Sequence, residues 1–356
     1  MHNAGFAMTQ PAYDITRSYD WNYENAPSSP PEVHVPPCPG RWTFCGMPVN
    51  SPLGIPAGPL LNARWILFYA ALGFDVLTYK TVRTRFRACY DPPNLLPVAA
   101  AALGGEGFEI EAAPPDAPVR SWAISFGMPS KAPSDWRADV ERARLGLARG
   151  QLLVVSVVAS PETGWSMSRI AADFAQCAGW AAASGAHAIE ANLSCPNVCT
   201  QEGDLYLSPE ASRAVAEEIR SRVTDLPLIL KIGLFHNRTE AEAHVSAVSP
   251  FAGALSTTNS ITAVVRGAFG GLRRGIGGAA IAARCLEELR MLSGVLLDAG
   301  SPLKLISVGG VTAAADVCSR LAAGAHHAQI ATAAMLDPGV ALCIRRELPD
   351  FTLNPR

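Results

Sequence analysis

Long apolar runs and clustered charge are both missing from this sequence. No stretch reaches the about eighteen uninterrupted apolar residues of a membrane span, and the first residues lack the basic-then-apolar layout of a secretion signal. The formal net charge is -2, which offers no electrostatic footprint for a polyanion. We therefore expect a cytoplasmic protein that binds neither a membrane nor a nucleic acid.

Repeated cysteine and histidine spacings are missing as well. The nine cysteines are odd in number and show no repeated Cys-x-x-Cys, which favours free thiols in a reducing compartment over a disulfide framework. No three of them have the spacing of iron–sulfur ligands. The seven histidines are scattered, and only His326 and His327 are adjacent, where strand neighbours would point to opposite faces. We expect no resident metal.

The sequence does contain a regular alternation of short apolar runs and helical patterns from about residue 51 onward. Hydrophobic residues make up 49% of the chain and charged residues 17%, as in a well-buried enzyme. Eight runs are predicted to be strands: LGIPAG (53–58), FDVLTYK (74–80), LLVVSVV (152–158), AHAIEAN (186–192), PLILKIG (227–233), FAGALSTT (251–258), LKLISVG (303–309) and HHAQIAT (326–332). Eight alternations predict an α/β fold of the (β/α)8 TIM barrel type and disfavour an open doubly wound sheet.

Two segments differ from this pattern. Residues 1–50 are dense in proline and predict an N-terminal arm, which could be extended, covering or partly disordered. Residues 83–126 are too long for an ordinary connection after the second strand. In a barrel this insertion would lie at the carboxyl ends of the strands, where we expect it to form part of the roof of a site. The predicted division is therefore an arm over 1–50 and a barrel over 51–356 with an insertion at about 83–126.

Small residues after the last two predicted strands indicate a phosphate site. Gly309 and Gly310 follow the seventh strand, and Ala331 and Thr332 follow the eighth. Small side chains let backbone N–H groups approach a phosphate, and the loops after strands 7 and 8 commonly bind one in barrels. The alternative is that both pairs are simply tight turns.

Two lysines lie at the ends of otherwise apolar predicted strands, Lys80 in LTYKT and Lys231 in ILKIG. A buried ammonium group costs several kcal/mol unless it is compensated, so each lysine needs a partner or a cleft. In a barrel both would point toward the same mouth. The alternative is that each side chain extends along the surface to solvent.

The stretch NLSCPNV places a thiol and two amides directly after the fourth predicted strand. A thiol in this position can act as a general base when its pKa is tuned, and the amides of Asn192 and Asn197 suit a ring with alternating C=O and N–H groups. Asn259 and Ser260 add an amide and a hydroxyl after the sixth strand. Cys195 taken alone could equally be a buried structural thiol.

These motifs resemble the dihydroorotate dehydrogenase family. IEANLSCPNV is the most specific match, and SPLGIPAGPLLN, LTYKT, ISFGMPS, LKIG, TTNSI, GIGGAAI, SVGGV and QIAT follow the family order over roughly residues 50 to 340. The resemblance implies a (β/α)8 barrel around FMN that oxidises dihydroorotate to orotate in pyrimidine biosynthesis. A cysteine in the NLSCPNV loop resembles the soluble class of the family, since the membrane-associated class has serine there.

The resemblance also implies a role for each matching residue. Cys195 would be the catalytic base that removes a C5 proton while C6 passes hydride to flavin N5, and Lys231 would stabilise the reduced flavin. The residues implied to contact FMN are Ala57, Gly58, Lys80, Thr81, Asn192, Lys231, Gly277, Gly278, Gly309, Gly310, Ala331 and Thr332. Those implied to bind the substrate are Lys80, Gly127, Met128, Asn192, Asn197, Asn259 and Ser260.

The chain departs from the family pattern on the side of the substrate carboxylate. Ile124 stands where the family has an asparagine, and a lost charge-assisted hydrogen bond costs roughly 1.5 to 3 kcal/mol. The family loop Gly-Asn-Pro-x-Pro-Arg is matched only distantly by DPPNLLPV, and Cys199-Thr200-Gln201 replaces Pro-Gly-Lys after the cysteine loop. A related enzyme acting on a dihydropyrimidine or cyclic amide without the carboxylate, such as dihydrouracil, is therefore an alternative.

Two further alternatives are a tRNA dihydrouridine synthase and a flavin-binding paralogue without turnover. The first is disfavoured because Ser194 replaces the glycine of its cysteine motif and no basic C-terminal region is present. The resemblance further implies a homodimer and a second electron acceptor, which could be fumarate, a quinone, or NAD through a partner subunit.

Overall fold

The computed structural model describes residues 13–194 and 204–349 of the chain. In the first half the helices and strands are α1 (Tyr19–Glu24), β1 (Trp42–Phe44), β2 (Met47–Val49), β3 (Leu53–Ile55), α2 (Ala63–Ala71), β4 (Val76–Val82), β5 (Leu95–Pro97), β6 (Phe108–Ile110), β7 (Ser121–Ile124), α3 (Pro133–Gly146), β8 (Leu152–Val157), α4 (Met167–Ala183) and β9 (Ala188–Asn192). In the second half they are α5 (Pro209–Arg222), β10 (Leu228–Lys231), α6 (Arg238–Val248), β11 (Ala254–Thr257), β12 (Ile261–Val265), β13 (Arg273–Gly278), α7 (Ala282–Asp298), β14 (Lys304–Val308), α8 (Ala314–Ala322), β15 (His327–Gln329), α9 (Thr332–Leu336) and α10 (Val340–Glu347).

Eight parallel strands close into a barrel in the order β3, β4, β8, β9, β10, β11, β14 and β15. Each of the eight predicted strands is present, so the predicted (β/α)8 barrel is confirmed. The helices begin where the sequence supplies a cap: the Ser166 and Ser208 side chains accept hydrogen bonds from backbone N–H groups in the first turns of α4 and α5.

The second barrel strand was predicted two residues too early. It was predicted over 74–80 but runs over Val76–Val82, because it continues to pair with β8 beyond a shift in register between Tyr79 and Val82. Lys80 therefore lies inside a strand rather than at its end, which corrects the prediction. Asp75, which the prediction placed in the strand, lies just before its first residue, Val76, and accepts a hydrogen bond from the buried Ser51 hydroxyl.

Apolar side chains close the barrel at the amino ends of its strands. Val76, Val154, Ala188, Ile229, Ala254 and Ile306 form one buried cluster there. The antiparallel hairpin β1–β2 packs Phe44 and Val49 into the same cluster. A water-excluding plug of this kind leaves the carboxyl ends of the strands as the open end of the barrel.

Residues 13–50 of the proline-rich arm pack against the barrel. The backbone N–H of Tyr19 donates to the Asn94 side chain at 2.8 Å, and the Tyr19 ring meets Phe126 edge-on with centroids 5.9 Å apart. Farther along, Pro36 accepts a 2.8 Å hydrogen bond from Arg345 of α10. The arm thus joins the insertion at one end of the barrel to the last helix at the other.

The insertion contributes three strands to a second sheet, in the order β5, β7, β13, β12 and β6. The other two strands of this sheet, β12 and β13, form an antiparallel hairpin after β11, which was not predicted from the sequence. In this sheet Gly275 lies opposite Ile124 and Gly277 lies opposite Trp122. We call this five-stranded sheet the roof. Within the described ranges, no helix has the length and apolar character needed to cross a membrane.

Replacing Arg345 with methionine should strongly destabilise the protein. Its guanidinium forms a buried ion pair with Asp75 at 2.8 Å, and it also donates to the carbonyls of Pro36 and Gly73. Removing one partner of a buried pair leaves an uncompensated charge, so we expect the free energy of unfolding to fall by about 3 to 5 kcal/mol. Urea unfolding of the variant and the parent protein measures this change.

The adjacent Arg346 is exposed and provides the matched control. Arg346→Met should change the free energy of unfolding by no more than about 0.5 kcal/mol. Equal effects of the two substitutions would show that the Asp75 contact is energetically unimportant.

Candidate functional site

A cavity of about 420 Å³ lies at the carboxyl ends of the barrel strands, between the barrel and the roof. It is lined by the sequence-predicted residues Ala57, Gly58, Lys80, Thr81, Met128, Asn192, Lys231, Asn259, Ser260, Gly277, Gly278, Gly309, Gly310, Ala331 and Thr332. Residues from nearly the whole length of the chain therefore converge on one space, which has the size and concave form typical of a small-molecule site.

The two lysines enter this cavity from different strands. Lys80 comes from β4 and Lys231 is the last residue of β10, and their exposed fractions are 6% and 2%. Positive charge at such low exposure acts through a lower effective dielectric than at the surface. The lysine side of the cavity can thus stabilise negative charge on a bound molecule.

The predicted amides form a connected polar group beside the lysines. Asn192 lies next to Lys231 in the pairing of β9 with β10. Its Nδ2 donates to Thr81 Oγ1 at 3.4 Å, and its Oδ1 accepts from Asn259 Nδ2 at 3.3 Å. Asn259 Nδ2 also donates to the Ser194 carbonyl. These contacts orient both amides at the cavity wall, where their remaining donors and acceptors can read a polar ring.

Gly127 and Met128 form a left-handed turn at the edge of the cavity, with φ values of 71° and 51°. Met128 lines the cavity and Gly127 precedes it in the same turn, so their implied role in substrate binding stays a prediction. A Cβ on Gly127 would lie 2.6 Å from the Tyr90 ring. Arg83 holds the turn from behind by donating Nε to the Met128 carbonyl at 3.0 Å.

The predicted glycine turns are packed too tightly for any side chain. Gly309 and Gly310 have φ values of 110° and 73°, and a Cβ would lie 2.5 Å from Cys285 Sγ in the first case and 2.4 Å from Ala282 Cα in the second. At the end of β13, a Cβ on Gly278 would lie 2.3 Å from the Arg120 carbonyl oxygen. Bare backbone with this geometry suits close approach by a phosphate.

The thiol behind the first of these turns is neutral. Burial raises the pKa of Cys285 to about 11, although the nearby Arg320 acts in the opposite direction. No thiolate charge therefore opposes an anion at the glycine turns near neutral pH. Thr332 and Ala331 complete this end of the cavity, and the Thr332 hydroxyl lies 3.5 Å from the position a Cβ on Gly277 would take.

Several lining residues were missed by the sequence reading. The roof strands and the residues that flank them supply Leu95, Val119, Arg120, Trp122 and Phe126, and Ile124, already noted as a departure from the family pattern, lines the cavity as well. Gln329 of β15 lies on the barrel side, where its Nε2 donates to Thr78 Oγ1 at 3.3 Å while its buried Oε1 has no hydrogen-bond partner among the described residues. A polar residue within the apolar run HHAQIAT was the available signal, because such a residue needs a partner inside the barrel.

Cys195 and Asn197 lie outside the described residues, so their predicted roles remain predictions. The described chain on either side joins at an antiparallel bridge between Ser194 and Asp204. Tyr206 donates its backbone N–H to the Leu193 carbonyl and its hydroxyl to the Leu234 carbonyl at 2.9 Å. The described residues on both sides of Cys195 and Asn197 are therefore held together close to Asn192, which lines the cavity.

A closed parallel barrel with glycine turns and buried lysines around one cavity at its mouth is the arrangement of an α/β-barrel enzyme with a small-molecule site. Comparison with known proteins identifies the family. A family model described as "Dihydroorotate dehydrogenase" matches residues 146–352, more than half of the 356-residue chain.

Individual relatives agree with this match. A dihydroorotate dehydrogenase of Dictyostelium discoideum is 30% identical over 362 aligned residues, covering 94% of this chain and 96% of that protein. A catalytic subunit of dihydroorotate dehydrogenase B (NAD(+)) from Solidesulfovibrio magneticus is 33% identical, but the match covers 50% of this chain and 59% of that subunit. A crystal structure of DHODH from Eimeria tenella with ferulenol has a TM-score of 0.72 at 15% identity, covering 92% of this chain and 88% of that one, which supports the fold.

The chain belongs to the dihydroorotate dehydrogenase family, and the resemblance inferred from NLSCPNV is confirmed. It is accordingly an oxidoreductase that acts on a CH–CH group.

Replacing Gly127 with alanine should destabilise the turn beside the cavity by two effects. A left-handed residue with a Cβ costs roughly 1 to 2 kcal/mol, and overlap with the Tyr90 ring adds about 1 to 3 kcal/mol. Thermal unfolding measures the sum. Gly107→Ala is the matched control, because Gly107 has a φ of 81° but nothing within 4 Å of a Cβ.

The double variant with Tyr90→Ala should recover the steric part of the loss. If Gly127→Ala and Gly107→Ala proved equally destabilising, the contact between Gly127 and Tyr90 would carry no energetic cost.

Proposed function

We propose that the protein is an FMN-dependent dihydroorotate dehydrogenase that oxidises dihydroorotate to orotate in pyrimidine biosynthesis. The observation that carries the proposal is that glycine turns suited to a phosphate line the same cavity as buried lysines and amides suited to a pyrimidine. Family membership supports the same reaction.

The residues around the cavity fit FMN. Gly278, Gly309 and Gly310, which we call the glycine cradle, present bare backbone at the cavity wall, as a phosphate site requires, and a Cβ at any of them would clash with neighbouring protein atoms. The unpartnered Gln329 oxygen provides a buried acceptor for a ring N–H. We propose that the phosphate binds at Gly277, Gly278, Gly309, Gly310, Ala331 and Thr332, and that the ring contacts Ala57, Gly58, Lys80, Thr81, Asn192 and Lys231.

When bound, FMN would supply the acceptor for the two electrons and the C6 hydrogen of the substrate. Lys231 would place a fixed positive charge where negative charge develops on the cofactor side, a form of electrostatic stabilisation that needs no reorganisation. Its position at the end of β10, beside Asn192 of β9, supports this role.

The substrate ring would bind on the amide side of the cavity. Asn192, Asn259 and Ser260 would hold its C=O and N–H groups, and Asn197 would add a further amide. The turn at Gly127 and Met128 would receive the carboxylate. Cys195 would act as the base that takes the C5 proton, the role that the family resemblance implies for the thiol of NLSCPNV.

The roof would keep water from the reacting atoms. Trp122 and Phe126 are only 1% and 7% exposed, and both line the cavity. Apolar walls of this kind lower the local dielectric and strengthen the lysine charges.

The reaction uses a small-molecule substrate and an electron acceptor. We propose no single acceptor: fumarate, a quinone, and NAD through a partner subunit are its candidate identities. A cytoplasmic homodimer is the form we expect. The cysteines in the described part of the chain are all free thiols, which supports a reducing compartment.

An anaerobic titration tests the proposal. The purified protein should show a flavin visible spectrum, and addition of dihydroorotate should bleach it, whereas dihydrouracil should have little effect. A protein that contained no flavin after purification and bound none on addition would contradict the cofactor assignment. Bound flavin that dihydroorotate failed to reduce would contradict the substrate assignment alone.

Cys195→Ala should leave flavin binding intact and slow flavin reduction by on the order of a hundredfold or more, which is the contribution of a positioned base. Stopped-flow absorbance under anaerobic conditions measures the rate. Cys318→Ala is the matched control, because Cys318 lies on α8 and does not line the cavity. An unchanged rate in Cys195→Ala would remove this residue from the mechanism.

A substrate without the carboxylate is the second candidate, and Ile124 favours it. This side chain lines the cavity, and its Cδ1 lies 3.3 Å from the position a Cβ on Gly277 would take. The wall is therefore apolar at the point where the family resemblance leads us to expect an amide.

Ile124→Asn should distinguish the two candidates. If the substrate carboxylate binds near this wall, orotate affinity should rise by about tenfold, since a hydrogen bond to a charged group contributes roughly 1.5 to 3 kcal/mol. Orotate binding is measured by the shift of the flavin spectrum, with Ile124→Val as the apolar control. Unchanged affinity would mean that the carboxylate lies elsewhere or that the natural substrate lacks one.

A further inference from the structure

Arg320 lies behind the glycine turns, in the last turn of α8, and is 3% exposed. Its NH2 donates to the Gly309 carbonyl at 2.9 Å and to the Ala282 carbonyl at 2.7 Å. Gly309 follows β14, and Ala282 is the first residue of α7, which follows Gly277 and Gly278. One guanidinium therefore connects the two separate chain segments that supply the glycine cradle.

These hydrogen bonds fix the direction of the carbonyl groups. A carbonyl oxygen that turned toward the cavity would repel a phosphate, and donation from Arg320 holds two such oxygens on the far side of the turns. Arg320 itself is not among the residues that line the cavity. Arg320 would thus act on a ligand indirectly, by orienting the Gly309 and Ala282 carbonyls and by the electrostatic field of its charge.

The charge of Arg320 has little compensation in the described structure. No carboxylate of the described residues forms an ion pair with it, and its buried NH1 has no hydrogen-bond partner there. Asp316, on the same helix, is already an acceptor for the N–H groups of Thr312 and Ala313 and for the Thr312 hydroxyl. Burial lowers the pKa of the Arg320 guanidinium, as expected for a cation without a close anion.

We propose that Arg320 is a positioning residue for the phosphate of the bound mononucleotide: it orients the Gly309 and Ala282 backbone and provides the buried positive charge that the phosphate neutralises. The inference rests on the proposed FMN function. It assigns to a residue outside the cavity the discrimination between a phosphorylated flavin and one without phosphate.

The contrasting possibility is a purely structural clamp, and the chain contains one for comparison. Arg220, near the end of α5, donates to the carbonyls of Phe251, Val223, Thr224 and Leu226. These carbonyls precede β10 and β11, so they lie at the amino ends of the strands, opposite the cavity. Arg220→Met removes a carbonyl-binding arginine without touching the cradle.

The test compares FMN with riboflavin, which lacks the phosphate. Dissociation constants for both flavins are measured by quenching of flavin fluorescence on reversibly deflavinated protein. The wild-type protein should bind FMN more tightly than riboflavin. Arg320→Met should reduce this preference by about tenfold or more, with riboflavin affinity nearly unchanged, because the lost interaction is charge-assisted.

Two further variants complete the comparison. Arg320→Lys keeps the charge and one donor, and should retain most of the preference for FMN. Arg220→Met should lower thermal stability but leave the preference as in the wild type. If Arg320→Met does not fold, Arg320→Gln replaces it, because glutamine keeps a donor for the carbonyls and removes the charge.

The outcomes separate the two proposals. Equal weakening of FMN and riboflavin in the Arg320 variants, or no weakening of either, overturns the role of Arg320 while leaving the proposed function intact. A wild-type protein that binds neither flavin overturns the proposed function itself. A wild-type protein that binds both flavins equally overturns the phosphate site and with it the role of Arg320.

Discussion

Closure of the parallel barrel is the constraint on which the site depends. Once eight parallel strands pair in a ring, all their carboxyl ends must meet at one mouth, whatever their separation in sequence. Ala57, Lys80, Asn192, Lys231, Gly309 and Thr332 face the same cavity for this reason alone. The apolar cluster at the amino ends, completed by Phe44 and Val49, seals the other opening. The barrel thus has one functional end, and the chemistry of the protein is concentrated there.

The two walls of the cavity differ in character: the barrel wall is mostly polar and charged, and the roof wall is mostly apolar. The barrel wall carries the lysines, the amides and the bare glycine backbone, all of which are held by regular strands or by the turns that follow them. The roof wall carries Trp122, Ile124 and Phe126, and its strand β13 carries glycines where it faces the ligand space. Polar groups on a rigid wall facing an apolar cover form a preorganised site, because little reorganisation is needed when a charged ligand binds.

The barrel could be predicted from sequence because its signals are local. Each strand is a short buried apolar run, and Gly309-Gly310 and Lys231 follow or end such runs directly. The roof could not be predicted in the same way, since the pairing of β7 with β13 joins residues about 150 positions apart, and GIGG was interpreted only as a ligand-binding turn. The close packing of Tyr90 against Gly127 could not be predicted either, because it is a tertiary contact. Arg320 escaped notice for a related reason: an arginine late in an amphipathic helix is usually solvated, and its burial here accompanies tertiary hydrogen bonds to the Ala282 and Gly309 carbonyls.

The connectivity of the roof also bears on the order in which the molecule assembles. Phe108–Ile110 pairs with Ile261–Val265, and Ser121–Ile124 pairs with Arg273–Gly278, so the barrel strands β8 to β11 lie between the partners along the chain. Closing so long a loop carries a large entropic penalty unless the intervening chain is already compact. We therefore expect β8 to β11 to come together before β6 and β7 pair with β12 and β13. A nascent chain acquires its roof, and with it a ligand site shielded from water, only when β13 has been synthesised.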